Sequence, residues 1–234
     1  MHVTGHAFLA RLTAPLAFAT RARTAKQLFA FALAEQESML ELRAAAAHCT
    51  SPERSALYLR HALDEERHAT MFAAHAAEIR RSLGRPPWGH PRTGCERLFE
   101  RLGEAGFLAF VHRGEARGRA QFEVYERFFA RRADDKLRAL FAALIGDERG
   151  HETYTRALLV EQAGPAGAAR ALAKVALREA FRGWRRAGEG IGTLFYGASM
   201  TVLFVCLAPF ALFVRYRKPA HGGWAPRPLQ AEKR

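Results

Sequence analysis

The 234-residue sequence predicts an all-α fold: a four-helix bundle with one crossover, followed by an amphipathic helix and a single transmembrane helix. Three observations predict it. Up to residue 165 the chain reads as helix almost throughout, in four long segments divided by turn signals. The outer two connections are short and the middle one is longer, which joins two helical hairpins by a crossover. Residues 190–214 then run for 25 positions without a charge.

The elements follow in order. The N-terminal residues include some apolar side chains, but Arg11, Arg21 and Arg23 interrupt them and no cleavage signature follows, so no signal peptide is read there. The first bundle helix covers 24–48, without Gly or Pro inside it. Ser51-Pro52-Glu53 starts the second, with Pro in the first turn, where its lack of an N–H is harmless. That helix runs to about Leu83 and stops at Gly84, ahead of Pro86-Pro87. A loop with Gly and Pro covers 84–94, the third helix about 96–131, and the fourth about 134–162, closing near Gly164-Pro165. The bundle is thus assigned to residues 1–165, a basic amphipathic helix to 166–189, the membrane span to 190–214 and a basic tail to 215–234.

Composition narrows the class. Hydrophobic residues make up 49% and charged residues 25%, the balance of a folded chain. The net charge of +13 raises the question of nucleic acid, and its location answers against it. Residues 1–165 hold 24 Lys and Arg against 20 Asp and Glu, whereas 166–234 hold 12 against 3. A basic excess gathered around one apolar segment suits anionic lipid headgroups, so membrane lipid and no nucleic acid is the expected partner. A bilayer core needs about 20 apolar helical residues. Arg182, Arg185 and Arg186 precede the segment, Arg215, Arg217 and Lys218 follow it, and Pro209 inside it is tolerated in lipid. Six Lys or Arg lie within 20 residues on each side, so the positive-inside count is a tie. A single-pass membrane protein with a cytoplasmic bundle is expected. Cys49, Cys95 and Cys206 are scattered and odd in number, which gives no disulfide framework and points to a reducing compartment.

The chemistry lies in a repeated motif. Asp64-Glu65-Glu66-Arg67-His68 and Asp147-Glu148-Arg149-Gly150-His151 both read Asp-Glu-x-x-His. Positions i and i+3 share a helix face, so Glu65 and His68, and likewise Glu148 and His151, can reach one metal ion. Carboxylate and imidazole donors without nearby thiolates suit iron or manganese rather than structural zinc. The partner helices offer carboxylates at matching heights. Glu65 lies 15 residues beyond a turn near residue 50, and Glu35 lies 15 before it. Glu148 lies 16 beyond a turn near residue 132, and Glu115 falls one position from the matching point. Glu37 and Glu41 rival Glu35, and Glu123 rivals Glu115 but sits too near its turn. His112 is read as a core or outlying histidine, not a ligand. His61 and His75, one heptad either side of His68, can face the same interior, but surface positions are preferred. Tyr154 is read as a core residue. Gly114 and Gly118 either open a cavity beside the metals or permit close helix packing.

Glu, Glu-x-x-His, Glu, Glu-x-x-His on four helices resembles the ferritin-like di-iron carboxylate superfamily, over about residues 24–162. The resemblance implies a ferritin-like bundle holding two Fe ions, or an Fe/Mn pair, through Glu35, Glu65, His68, Glu115, Glu148 and His151. It implies Asp64 and Asp147 as acceptors for the ligand histidines' N–H groups. The second motif has Gly150 where the first has Arg67, so a role for Arg67 is not duplicated. The activity implied is an oxidoreductase that activates dioxygen to hydroxylate, desaturate or oxidise a lipophilic or carrier-bound substrate. The alternatives are a rubrerythrin- or ferroxidase-like handler of peroxide or ferrous iron, and a metal-stabilised membrane scaffold. The chain has no rubredoxin-like cysteine pairs, so a separate electron donor, a reductase or ferredoxin, is expected, and a homodimer is possible.

Overall fold

The computed structural model describes residues 5–216, and every regular element among them is a helix: α1 (Gly5–Ala17), α2 (Arg21–His48), α3 (Pro52–Ser82), α4 (Leu98–Ala130) and α5 (Asp135–Tyr216). Helix α1 falls in a segment to which the sequence reading assigns no element. Its apolar residues fall on all sides, so no polar stripe marks a period.

Local chemistry sets the helix ends. The Thr20 and Ser51 hydroxyls accept from the backbone N–H groups of Arg23 and Arg54, capping α2 and α3. Asp134 does the same for Leu137 at the start of α5. The start of α4 has no side-chain cap of its own, because Arg97 sits there in a left-handed conformation. Instead the buried Glu41 carboxylate of α2 accepts from the backbone N–H groups of Glu96, Arg97 and Leu98, the last at 2.7 Å. A carboxylate against a helix N-terminus also meets the positive end of its dipole. Within α5, Gly164 adopts φ 67°, ψ 168°, which breaks the helical path, and Pro165, lacking an N–H, restarts it.

The chain separates into two compact units, with the boundary between Leu177 and Arg178. The first unit holds two apolar clusters. One contains Ala25, Leu28 and Ala32 of α2, Phe72 and Ile79 of α3, Phe122 and Phe129 of α4, and Phe141 and Leu144 of α5, with α1 adding Ala10 and Ala14. The other contains Met39 and Leu42 of α2, Tyr58 and Ala62 of α3, Phe107 and Leu108 of α4, and Leu159, Ala168 and Val175 of α5. Helices α2 and α5 meet the first cluster and then the second; α3 and α4 meet them in the opposite order. The connection 83–97 follows α2 between the two. Trp88 packs on Phe29 with ring centroids 4.9 Å apart, and Cys95 reaches the Leu40 carbonyl before Glu41 takes the α4 N-terminus.

In the second unit α5 continues with Phe181 and Trp184 exposed. The apolar stretch beyond them is the one helical segment among the described residues long and apolar enough to cross a membrane. Leu194, Phe195, Val202, Phe204 and Phe210 along it are all exposed. The basic tail from residue 217 onward lies outside the described residues.

Candidate metal centre

Between the two apolar clusters lies one polar layer. On α2 it falls between Ala32 and Met39, on α3 between Ala62 and Phe72, on α4 between Val111 and Phe122, and on α5 between Leu144 and Leu158. Those gaps hold Glu35, Glu65 with His68, Glu115, and Glu148 with His151. All but Glu35, which is partly exposed, are buried. The six sequence-predicted ligand positions are therefore brought to one level by four helices.

Their donor atoms form two groups, each with atoms within 4.8 Å of one another: Glu35, Glu65, His68 and Glu148, and His61, Glu65, Glu115 and His151. Glu65 belongs to both. His68 Nδ1 lies 3.6 Å from Glu148 Oε1, and His151 Nδ1 lies 3.5 Å from Glu65 Oε1 and 3.6 Å from Glu115 Oε2. Neither Nδ1 has a hydrogen-bond partner, although both are buried. Two orphaned imidazole nitrogens facing carboxylates are an uncommon loss for a folded interior, and the arrangement suits a cation between them.

The opposite nitrogens explain the ring orientation. His68 Nε2 lies 3.2 Å from Asp147 Oδ2, and His151 Nε2 lies 3.2 Å from Asp64 Oδ2. A carboxylate only accepts, so each Nε2–H donates and the Nδ1 lone pair points inward. The pairing is crosswise: the aspartate of each motif holds the histidine of the other. Arg67 closes the ring, its Nη2 3.1 Å from Asp64 Oδ1 and 2.8 Å from Asp147 Oδ2. One arginine thus serves both motifs, and Gly150 in the second leaves nothing unsupported. Burial raises both aspartates, but hydrogen bonds from Arg67 and from His151 or His68 outweigh it and hold them below their ordinary range.

Charge in the layer is divided. Burial pushes Glu65 and Glu148 well above the usual carboxylate range, with the neighbouring carboxylates adding to it, and pushes Glu35 up to about 7. Burial acts on Glu115 too, but His61 and His151 facing it bring it well below its ordinary value. Burial likewise disfavours charge on His68. Four carboxylates in one buried layer cannot all ionise without a compensating cation.

Two residues beyond the predicted set enter the layer. His61, for which surface placement was preferred, is buried; its ring stacks on His151 at a centroid distance of 3.6 Å, and its Nε2 lies 2.8 Å from Glu65 Oε1. Tyr154, read as a core residue, places its hydroxyl 2.6 Å from His61 Nδ1. The spacing carried the signal, since His61, Glu65 and His68 lie at i, i+4 and i+7 on one face. The other candidates have separate duties. Glu41 caps α4, His75 donates Nδ1–H to the Met71 carbonyl, and His112 donates to the Glu152 carbonyl. Of the two glycines beside Glu115, Gly118 has the tight neighbour: a Cβ there would stand 3.1 Å from Glu148 Oε2, whereas one at Gly114 would meet nothing within 4 Å.

Comparisons with protein-family models, with curated proteins and with solved structures gave no match to this chain.

Proposed function

We propose that this chain is a membrane-anchored non-haem di-iron oxidoreductase with a ferritin-like four-helix bundle, which activates dioxygen to hydroxylate, desaturate or oxidise a lipophilic or carrier-bound substrate. The observation that carries the reading is the pair of buried, unpartnered Nδ1 atoms, each fixed from behind by an aspartate and faced by glutamates. The donor set is oxygen and imidazole nitrogen with no thiolate, the chemistry of iron or manganese. The opposite order in which α2 and α3 meet the two apolar clusters, repeated for α5 and α4, is what two hairpins joined by one crossover require.

Glu35, His68 and Glu148 would hold one ion and Glu115 and His151 the other, with Glu65 shared and His61 within reach of the second. Two ferrous ions there would supply one pair of the electrons that dioxygen reduction takes, the organic substrate supplying the other pair. The chain's own residues do the rest. Asp64 and Asp147 keep the His151 and His68 rings in the tautomer with Nδ1 free, and Arg67 keeps both aspartates ionised. Tyr154, His61 and Glu65 form a hydrogen-bonded line into the layer. With Glu65 ionised and His61 not bound to the ion, His61 Nε2–H donates to Glu65 and His61 Nδ1 accepts from the Tyr154 hydroxyl, a line along which a proton can pass toward Glu65. Electrons come from a separate reductase or ferredoxin. Anchoring by the apolar C-terminal helix brings the site to lipophilic substrates.

The test is the metal content of detergent-purified protein beside Glu65→Ala and His151→Ala, then ferrous loading and a dioxygen pulse followed optically. About two irons per chain, lost in Glu65→Ala and reduced to about one in His151→Ala, which belongs to one donor group only, with an oxygen-dependent absorbance change, is expected. Absence of stoichiometric metal in the unaltered protein would sink the proposal. Turnover of peroxide or Fe(II) with no organic substrate would replace oxygenation by peroxide or iron handling.

A further inference from the structure

Helix α1 has two apolar faces and one core. At about 100° per residue, Ala10 and Ala14 point one way, and both are buried in the first apolar cluster together with Phe18. Phe8, Leu12 and Leu16, with Leu9 beside them, point nearly opposite and stand 56–66% exposed. Four large apolar side chains on the outer face of a 13-residue helix are far from the polar face that a soluble surface helix presents.

The charge contributed by the first 34 residues is of one sign. Arg11 flanks the stripe on its helix, and Arg21, Arg23 and Lys26 follow, all exposed. No acidic residue precedes Glu35. A protein partner would need an acidic rim, and a second copy docked by the same helix would bring Arg11 and its basic neighbours against their own counterparts. An anionic bilayer offers hydrocarbon and negative charge together, as interfacial helices require. The same chain holds a helix long and apolar enough to span a membrane, so a bilayer is the partner at hand.

We infer that α1 is an interfacial membrane helix: Phe8, Leu9, Leu12 and Leu16 enter the headgroup boundary of an anionic leaflet while Ala10 and Ala14 hold the helix to the folded core. This gives the first unit its own membrane contact, independent of any metal and of the C-terminal helix.

The full chain tests this with one label at a time. Cys49→Ser with Cys95→Ser leaves Cys206, in the C-terminal apolar stretch, as one labelling site. Replacing all three cysteines by Ser and adding Leu12→Cys gives the other. Each carries an environment-sensitive fluorophore and is reconstituted into equimolar phosphatidylcholine and phosphatidylglycerol vesicles, with lipids spin-labelled near the headgroup or at the chain end. The label at residue 12 should be quenched more by the headgroup-proximal lipid. Arg11→Glu should weaken the α1–lipid equilibrium roughly 25-fold, about fivefold per unit of charge, and pure phosphatidylcholine should weaken it in the same direction. Phe8→Ser with Leu16→Ser should abolish the quenching. No lipid quenching at residue 12 while Cys206 is quenched overturns the inference and leaves the span intact. Residue-12 labels of two chains approaching each other without lipid quenching overturn it in favour of self-association. Quenching at residue 12 without quenching at Cys206 supports the α1 contact and removes the span from the functional proposal.

Discussion

Two stretches of α5 depart from the ordinary distribution of polarity in opposite senses. Around Glu148 and His151, ionisable side chains are buried in a layer that also takes Glu65, His68 and Glu115. From Gly190 to Phe210, large apolar side chains stand exposed, Leu194 at 75% and Phe204 at 74%. The two clusters that flank the buried layer follow the usual rule, with Phe72, Phe107 and Phe141 fully buried. The contrast teaches that a departure from the rule carries information about the relieving neighbour. Buried carboxylates call for protons or a cation, and exposed hydrocarbon calls for more hydrocarbon.

The buried half of the comparison breaks most completely at Glu65, which belongs to both donor groups. Glu65→Ala should leave no stoichiometric iron, whereas His68→Ala, which touches one group only, should leave about one ion of two. Metal analysis after gel filtration distinguishes them, and equal losses would show that the groups do not bind separately. The next effect is electrostatic. Glu35 titrates at about 7 in the folded chain against an ordinary value of 4.5. The folded state therefore holds a proton that the unfolded chain releases between those values. Stability present below pH 4.5 is then lost as pH rises toward 7, by roughly 3 kcal/mol for this one group. Chelated protein should melt at a lower temperature at pH 8 than at pH 5.5, and ferrous or manganous ion should reverse the order. The exposed half is tested by Leu203→Arg. A charge near the middle of a span costs about 3 kcal/mol, so carbonate extraction should release a larger share of this variant from membranes. Unchanged retention would mean that this stretch does not sit in lipid.

Much of the buried layer was legible because helices rise by a fixed amount per residue. Counting equal distances from two turns put Glu35 level with Glu65 and Glu115 level with Glu148, and the structure places all four in one layer. His61 and Tyr154 were missed for a physical reason. A heptad spacing fixes the face of a helix but not the level, so His61 and His75 looked alike beside His68. His61 lies one turn from Glu65 and meets it, while His75 lies beyond the layer and bonds back to Met71. Glu41 looked like a rival ligand because nothing local shows that a helix starting 57 residues later borrows its cap. The crosswise pairing of Asp64 and Asp147, and the sharing of Arg67, depend on how α3 and α5 face each other, which neither motif encodes by itself. Helix α1 was not visible because both of its faces are apolar.

The finest test of the layer is the pair of glycines on α4. Alanine in place of glycine within a helix stabilises by about 1 kcal/mol, so both Gly114→Ala and Gly118→Ala should gain from propensity. At Gly114 the added methyl meets nothing within 4 Å, and the gain should appear as a higher melting temperature with metal affinity unchanged. At Gly118 it would stand 3.1 Å from Glu148 Oε2 and 3.8 Å from Cδ, so the carboxylate must shift by a few tenths of an ångström. Displacement on that scale at a group orienting or binding a metal weakens affinity by roughly tenfold. Chelator competition should then separate the variants, with Gly118→Ala the weaker binder although its chelated form is no less stable. Equal affinities would show that Glu148 has room to bind from a shifted position, or that it is not a ligand. Loading of Glu148→Ala decides between the two, because only a ligand takes metal with it when it is removed.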